Sequence, residues 1–247
     1  MPQLYLSYSV VLGMVAVIIG LVMASLLFRL RHKDRHTWWL CMLFMTFTLM
    51  MAAFGILLSV SEVWMIHLFT AVILIDVGVL CLVQFAYSFP TVSRPREARA
   101  FLIGNLILLP ILFVAMIQSF RLDSDDFVVA FGTWYGAALV AQLIRLFSLL
   151  WLVGIWVRKI LALERRDGRA ALRRICFPRN HTAKTIRAFI GSFSIVLILP
   201  LALLLEFTGI IDDDSAAFLF ALAIVGLFAV FFVTYINYMP EQSSFMM

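Results

Sequence analysis

The sequence predicts an all-α polytopic membrane protein whose single domain, residues 1–247, is a bundle of seven transmembrane helices. Of its residues, 64% are hydrophobic and 13% are charged, whereas soluble domains are roughly 45–50% apolar and about 25% charged. Seven apolar runs approach or exceed the roughly 20 residues that a helix needs to cross a bilayer. The runs lack the alternating pattern of outer-membrane barrel strands, which leaves helices as the spanning elements.

The charges of the loops predict the orientation of this bundle. The loops after the first, third and fifth runs hold 17 of the 19 Lys and Arg residues. The loops after the second, fourth and sixth runs hold Arg121 beside seven acidic residues. Because positively charged loops stay in the cytoplasm, the N-terminus is predicted outside and the C-terminus inside, in the cytoplasmic (inner) membrane. The net charge of +5 therefore needs no nucleic-acid partner.

The first three runs end at charged or turn-forming residues. The first begins near Tyr5 and stops at the basic string Arg29–His36, so its charges follow the apolar core instead of preceding it as in a signal peptide. Two tryptophans open the second run, at the headgroup level that indoles prefer. The third run ends at Phe89-Pro90, since proline disfavours helix in the residue before it.

The connections that follow the fourth, fifth and sixth runs are acidic, basic and acidic in turn. The fourth holds Pro110 and leads into an acidic turn, and the fifth leads into the basic loop Arg158–Arg187. The sixth holds Pro200, and three aspartates follow it. Both prolines are predicted to kink their helices, either as a fixed geometry or as hinges that move when a ligand binds. The predicted spans are 5–28, 37–60, 67–88, 100–118, 131–157, 188–208 and 216–238.

The sequence carries no signature of catalysis or metal binding. Cys41, Cys81 and Cys176 lack metal-binding spacing and are predicted to be small buried side chains without a disulfide. There is no HExxH, GxSxG or glycine-rich phosphate loop, so the chain itself is not expected to be an enzyme and no cofactor is expected. The three lysines, Lys159 among them, fall in predicted loops, which excludes the retinal Schiff base of an opsin.

An aspartate inside the third run is the first candidate functional residue. Asp76 lies midway along a segment otherwise suited to lipid, where an ionisable group costs about 2.5–3.5 kcal/mol on insertion scales. Arg145 of the fifth run is predicted roughly 6 Å deeper, close enough for a direct or water-bridged pair. The alternative is that each group finds carbonyls, hydroxyls or water separately. A pair favours a structural role over a proton relay, because one pair does not make a path.

A second set of polar and aromatic residues is predicted at the outer ends of the helices. They are predicted to rim an outward-facing ligand cavity above the Asp76–Arg145 pair; the alternative is an ordinary aromatic belt at the membrane interface. The candidate ligand-binding residues are Trp64, His67, Asp76, Trp134, Tyr135, Arg145 and Glu206, and the candidate hinges are Pro110 and Pro200.

Two helix-end strings carry a family resemblance. QFAYSFP, residues 84–90, closes the third run, and YINYMPE, residues 235–241, closes the seventh. With seven helices and an outer N-terminus, the chain resembles the N-terminal seven-helix membrane region of bacterial sensor proteins that precedes histidine kinase or nucleotide cyclase domains. The resemblance implies a sensory input module whose signal leaves through the seventh helix and the loops Phe89–Arg99 and Arg158–Arg187.

The chain differs from that family after its seventh run. No coiled coil, phosphoacceptor histidine or catalytic domain occurs before Met247, so the chain is either one domain of a longer protein or acts through a separate protein. The expected partners are the lipid bilayer and a cytoplasmic signalling domain in cis or a partner protein in trans, and a homodimer is compatible with both. The alternative functions are a small transporter or permease and a subunit of a membrane complex.

Overall fold

The computed structural model describes residues 8–30, 34–59, 65–121, 127–165, 170–196, 210–211 and 213–244. Every regular element in these ranges is an α-helix, which confirms the all-α part of the predicted fold class. The helices are α1 (Tyr8–Phe28), α2 (Arg35–Ser59), α3 (Met65–Ser88), α4 (Pro95–Arg121), α5 (Phe127–Leu163), α6 (Ala171–Cys176), α7 (His181–Val196) and α8 (Asp213–Ser244).

Four of the described helices are long and apolar enough to cross a membrane, judged by their length and composition. The qualifying stretches are Val10–Phe28 in α1, Arg35–Ala53 in α2, Leu146–Leu163 in α5 and Ala221–Tyr238 in α8. The helix α3 adds the shorter apolar stretch Ile73–Ser88. These helices indicate a membrane protein.

The helix α2 packs between α1 and α3, and α8 packs against α1 and α7. Close approach of α1 to α2 depends on Gly20, because a Cβ atom there would collide with the hydroxyl of Thr48 and lie 3.1 Å from the ring of Phe228. Small residues allow the backbones of membrane helices to approach in this way. On the side of α1 that faces away from the other helices, Ile18 and Val22 are exposed. Burial therefore follows helix contacts, while exposed apolar side chains suit a hydrocarbon environment.

Five segments, most of them carrying Arg or Lys, lie together at one end of this bundle, which we call the basic end. They are the start of α2, the turn from Phe89 to Arg94, the end of α5, the segment from α6 to the start of α7, and Tyr235–Tyr238 of α8. A buried aromatic cluster joins these elements. The Phe89 ring stacks on Phe85 with centroids 5.3 Å apart and meets Phe189 edge to face at 5.3 Å. Such pairs contribute about 0.5–1.5 kcal/mol beyond their burial, so the aromatic cluster stabilises this end of the bundle.

The end of α5 differs from its prediction. The helix continues to Leu163, so the predicted placement of Lys159 in a loop is wrong. No proline or glycine interrupts residues 155–163, and Lys159 finds acceptors on a neighbouring segment, so a change from apolar to basic residues does not end the helix. The exclusion of retinal chemistry therefore loses its premise for this lysine. Likewise α7 begins at His181, where the sequence predicted loop up to Arg187. The last helix, α8, continues through Pro240 to Ser244, so the prediction that YINYMPE closes it near residue 238 is wrong.

The cysteine prediction is confirmed in part. Cys41 and Cys81 are buried, whereas Cys176, at the end of α6, is exposed and its predicted burial is wrong. The helix α6 has no buried residue, so a side chain on it meets solvent or membrane whatever its polarity. All three side chains are thiols.

Candidate functional site

Lys159 reaches from α5 to the C-terminal end of α3, which is the centre of the basic end. Its Nζ donates to the carbonyl oxygens of Ala86, Tyr87, Phe89 and Thr91 at 2.5–3.1 Å, and the side chain is 8% exposed. The last carbonyls of a helix lack partners within the helix, and a cation near them complements the helix dipole. Lys159 thus stabilises the end of α3 and fixes the following turn to α5.

A second polar network forms around Glu97, in the first turn of α4. One carboxylate oxygen, Oε1, accepts from the Tyr87 hydroxyl at 2.7 Å and from Arg158 Nη2 at 3.0 Å. The other, Oε2, accepts from Arg94 Nη1 at 3.1 Å. Trp151 Nε1 in turn donates to the Tyr87 hydroxyl at 2.8 Å. This network therefore ties α3, α4 and α5 together through a single carboxylate.

The electrostatics of this network favour the ionised form of Glu97. Partial burial raises the pKa of Glu97, but hydrogen bonds from Tyr87, Arg94 and Arg158 outweigh it, so the pKa lies below its ordinary value. Arg158 is held on a second side by Trp151, because its guanidinium carbon lies 5.3 Å from the indole centroid. Glu97 is therefore a carboxylate that organises cations instead of a proton donor.

A third group of contacts fixes the start of α7 to the end of α5. Glu164 Oε1 accepts the backbone N–H groups of Arg179 at 2.7 Å and Asn180 at 2.6 Å. The Asn180 side chain then caps the helix, since its Oδ1 accepts from the N–H groups of Thr182 at 2.9 Å and Ala183 at 3.4 Å. A carboxylate near a helix N-terminus is also favoured by the helix dipole. The helices α5 and α7 are thus joined as one unit at the basic end.

Two tyrosines connect α8 to the same end. Tyr235 shares a 2.6 Å hydrogen bond with Thr37 of α2. The Tyr238 ring meets Phe89, in the turn after α3, with centroids 4.8 Å apart, and lies nearly parallel to His181 of α7 at 6.4 Å. Three separate elements therefore contact one short stretch of α8.

A cavity of about 190 Å³ opens beside these networks, between the end of α3, the turn after it and α5. Its walls include the side chains of Arg94, Arg158 and Lys159, and the carboxylate of Glu97 is bonded to the two arginines. The cavity therefore has a positively charged wall. Its lining residues are Tyr87, Ser93, Arg94, Ile155, Arg158, Lys159 and Ala162.

Asp76, the predicted intramembrane aspartate, lies on α3 and is partly buried. It lines a cavity of about 10 Å³, together with Asn105 of α4 and Ser148 of α5. Asn105 and Ser148 also line a wider groove of about 370 Å³ between α4 and α5, whose remaining walls are apolar. The structure thus places a small polar group beside the predicted aspartate. The side chain of Arg145 lies outside the described residues, so the predicted pair stays a prediction.

The other predicted site residues lie largely outside the described part of the chain. Pro110 lies within α4, which continues on both sides of it from Pro95 to Arg121. For four residues on α3 and α5 the helix is described but the side chain is not: His67, Trp134, Tyr135 and Arg145. Trp64, Pro200 and Glu206 lie entirely outside the described residues. The predicted outer cavity and the Pro200 hinge therefore stay predictions.

The residues of the three networks at the basic end were not singled out from the sequence. One signal was present: Glu97 is the single acidic residue of the arginine-rich loop Phe89–Arg99. A carboxylate among arginines is placed to form charge-assisted hydrogen bonds with them. Among the described residues, no group of three or more His, Cys, Asp or Glu side chains is placed to hold a metal ion.

Comparison with known proteins does not assign the chain to a family. No protein-family model matches it, and no curated protein matches its sequence.

Proposed function

We propose that the chain is a membrane-embedded sensory input module of a bacterial signal-transduction protein. In this proposal seven helices cross the cytoplasmic membrane, with the N-terminus outside and the basic end in the cytoplasm. A stimulus at the outer face or within the bilayer changes the packing of the helices. The change then leaves through the basic end, to a signalling domain in cis or a partner in trans. The 17-to-1 loop distribution of basic residues supports this orientation.

The coupling of α8 to the basic end is the observation that carries the proposal. Tyr235 and Tyr238 contact α2, α7 and the turn after α3 at once. That turn is itself fixed to α5 by Lys159. A change in packing at any of these elements alters the surroundings of α8. Close-packed interfaces of this kind tend to switch between discrete arrangements instead of deforming continuously, which suits a signal that leaves through α8.

The output of a fused reporter tests this route. We would fuse the chain in frame at Met247 to a nucleotide cyclase and compare Tyr235→Phe with the parent in the same cells. The substitution keeps the ring and removes the hydroxyl bonded to Thr37. A hydrogen bond of about 1 kcal/mol corresponds to a roughly fivefold change in a two-state ratio. We therefore expect basal cyclase output to change about fivefold if the two packings differ in this bond.

A matched control lies on the same helix. Asn237→Ala changes an exposed residue of α8 between the two tyrosines and is expected to leave output at the parental level. A second test substitution, Thr37→Val, removes the other half of the hydrogen bond and is expected to reproduce the effect of Tyr235→Phe. Normal expression of both test variants with unchanged output would overturn this route.

The polar group around Asp76 favours a transporter as a second candidate function. Asp76, Asn105 and Ser148 meet between three helices that are otherwise apolar there. Ionisable residues within membrane helices commonly mark substrate or ion pathways. A transporter predicts that Asp76→Asn abolishes substrate-driven currents or uptake in proteoliposomes. A sensor predicts no flux in the parent and a changed reporter output in the variant.

A further inference from the structure

We propose that the cavity at the basic end is a binding site for a phosphate group. The proposal goes beyond the sensory function and does not depend on it. It rests on the cationic wall of a cavity of about 190 Å³ between α3, the following turn and α5. That volume is enough for several water molecules, so a compact anion fits in their place.

Two arginines supply the donors that a phosphate needs. A guanidinium has five N–H donors. Arg158 gives one to Glu97 and one to the carbonyl of Gly154, and Arg94 gives one to Glu97. Each arginine therefore keeps several donors beyond these bonds, while Glu97 holds both in place. Arginine is suited to phosphate because its planar head offers paired N–H donors.

Lys159 lines the cavity but supplies no donor to it. Its Nζ donates hydrogen bonds to carbonyl oxygens at the end of α3 and in the following turn, and its side chain lines the cavity. The cavity wall thus carries the guanidinium groups of Arg94 and Arg158 against the single carboxylate of Glu97. An anion entering this space experiences a net positive potential that is only partly screened by solvent.

The backbone of the turn provides a second, independent observation. Arg94 adopts the left-handed conformation, with φ of 48°, which non-glycine residues rarely adopt outside functional or tightly constrained sites. It precedes Pro95, which further restricts its backbone. This conformation accompanies the placement of the Arg94 guanidinium beside Glu97 and at the cavity. A costly backbone at the residue that lines a cationic cavity points to a role for its side chain.

The phosphate group has two possible sources, an anionic phospholipid headgroup and a free phosphate. Trp151 lies one turn before Ile155 of the cavity wall and stacks with Arg158, an arrangement typical of the headgroup level. Basic pockets between membrane helices bind anionic headgroups. Free inorganic phosphate meets the same donors, so the two sources are separated by titrating each of them.

The test uses the purified full chain in dodecyl maltoside micelles, because this detergent carries no phosphate and the background then contains none of the proposed ligand. Phosphatidylglycerol is titrated into one series and inorganic phosphate into another, and the unfolding midpoint is followed in each. A site predicts a saturable rise in midpoint, because a ligand that binds only the folded state stabilises it. Ala162→Glu adds a carboxylate to the cavity wall and is expected to weaken the apparent affinity roughly tenfold. The control is Ala170→Glu, which adds the same charge at an exposed position next to α6.

A second variant provides a test of the site if Ala162→Glu fails to fold. Arg94→Gln removes an exposed arginine whose i,i+3 ion pair with Glu97 contributes little to folding, and it is expected to weaken phosphate binding about fivefold to tenfold. A rise with phosphatidylglycerol alone identifies a lipid headgroup, and a rise with inorganic phosphate identifies free phosphate. Either result supports the site when Ala162→Glu and Arg94→Gln weaken the binding and Ala170→Glu leaves the binding unchanged. No saturable rise, or equal weakening in Ala170→Glu, overturns the proposal.

Discussion

Replacing Lys159 by methionine tests whether its ammonium group holds the basic end together. Methionine keeps an unbranched apolar stem of similar length and removes all three N–H donors. The carbonyls of Ala86, Tyr87, Phe89 and Thr91 then lose a donor at 2.5–3.1 Å. A buried acceptor left unsatisfied costs about 1–3 kcal/mol. Three donors served these acceptors, so the gross loss is several kcal/mol.

Two effects reduce this gross loss. Removing the ammonium recovers the cost of having buried a charge, which is several kcal/mol for an ion in a protein interior. The adjoining cavity of about 190 Å³ also admits water, which satisfies part of the exposed carbonyls. We therefore expect Lys159→Met to lower the free energy of unfolding by about 2–4 kcal/mol.

The measurement is reversible unfolding of the purified chain by SDS in mixed micelles, followed by far-UV circular dichroism. Lys184→Met is the matched control, since Lys184 is an exposed lysine of α7. Its free energy of unfolding is expected to stay within about 0.5 kcal/mol of the parent. If Lys159→Met also stays within that margin, the carbonyls are not dependent on the ammonium and the account of this site is wrong.

Three further predictions concern titration, topology and the intramembrane pair. The pKa of Glu97 lies below its ordinary value of 4.5. The ionised carboxylate therefore contributes to stability above pH 4.5, and this contribution is lost as the pH falls through the lower pKa of the folded state. When the free energy of unfolding is measured against pH, Glu97→Gln is expected to remove this part of the acid sensitivity. Single cysteines at Asp125 and Arg169 are expected to label from opposite sides of the membrane, Asp125 from outside, and labelling of both from one side would show that a span is misplaced. A double-mutant cycle of Asp76→Asn and Arg145→Gln is expected to show coupling of about 0.6 kcal/mol or more, and coupling within about 0.3 kcal/mol of zero excludes the pair.

The all-α class followed from hydropathy, and so did the ends of α1, α2 and α3, to within three residues. The predicted end of the third run at Ser88 matches α3, and the predicted first run ends with α1 at Phe28. Proline and clustered arginine are local signals, so they mark these ends without knowledge of the rest of the chain. The helix α5 was predicted six residues short because Arg158 and Lys159 were taken as the start of the basic loop, whereas a lysine whose head finds acceptors does not stop a helix.

The sequence by itself determined that the protein is all-α, that its helices are apolar enough for a membrane and that its basic residues gather in alternate loops. Those properties are set by composition and by residues close together in the chain. Only the tertiary structure decided which polar side chains meet. Lys159 contacts carbonyls about 70 positions away, and Tyr235 bonds a hydroxyl 198 positions away. Such partners are chosen by helix packing, because a buried donor must find whichever acceptor the neighbouring helix presents.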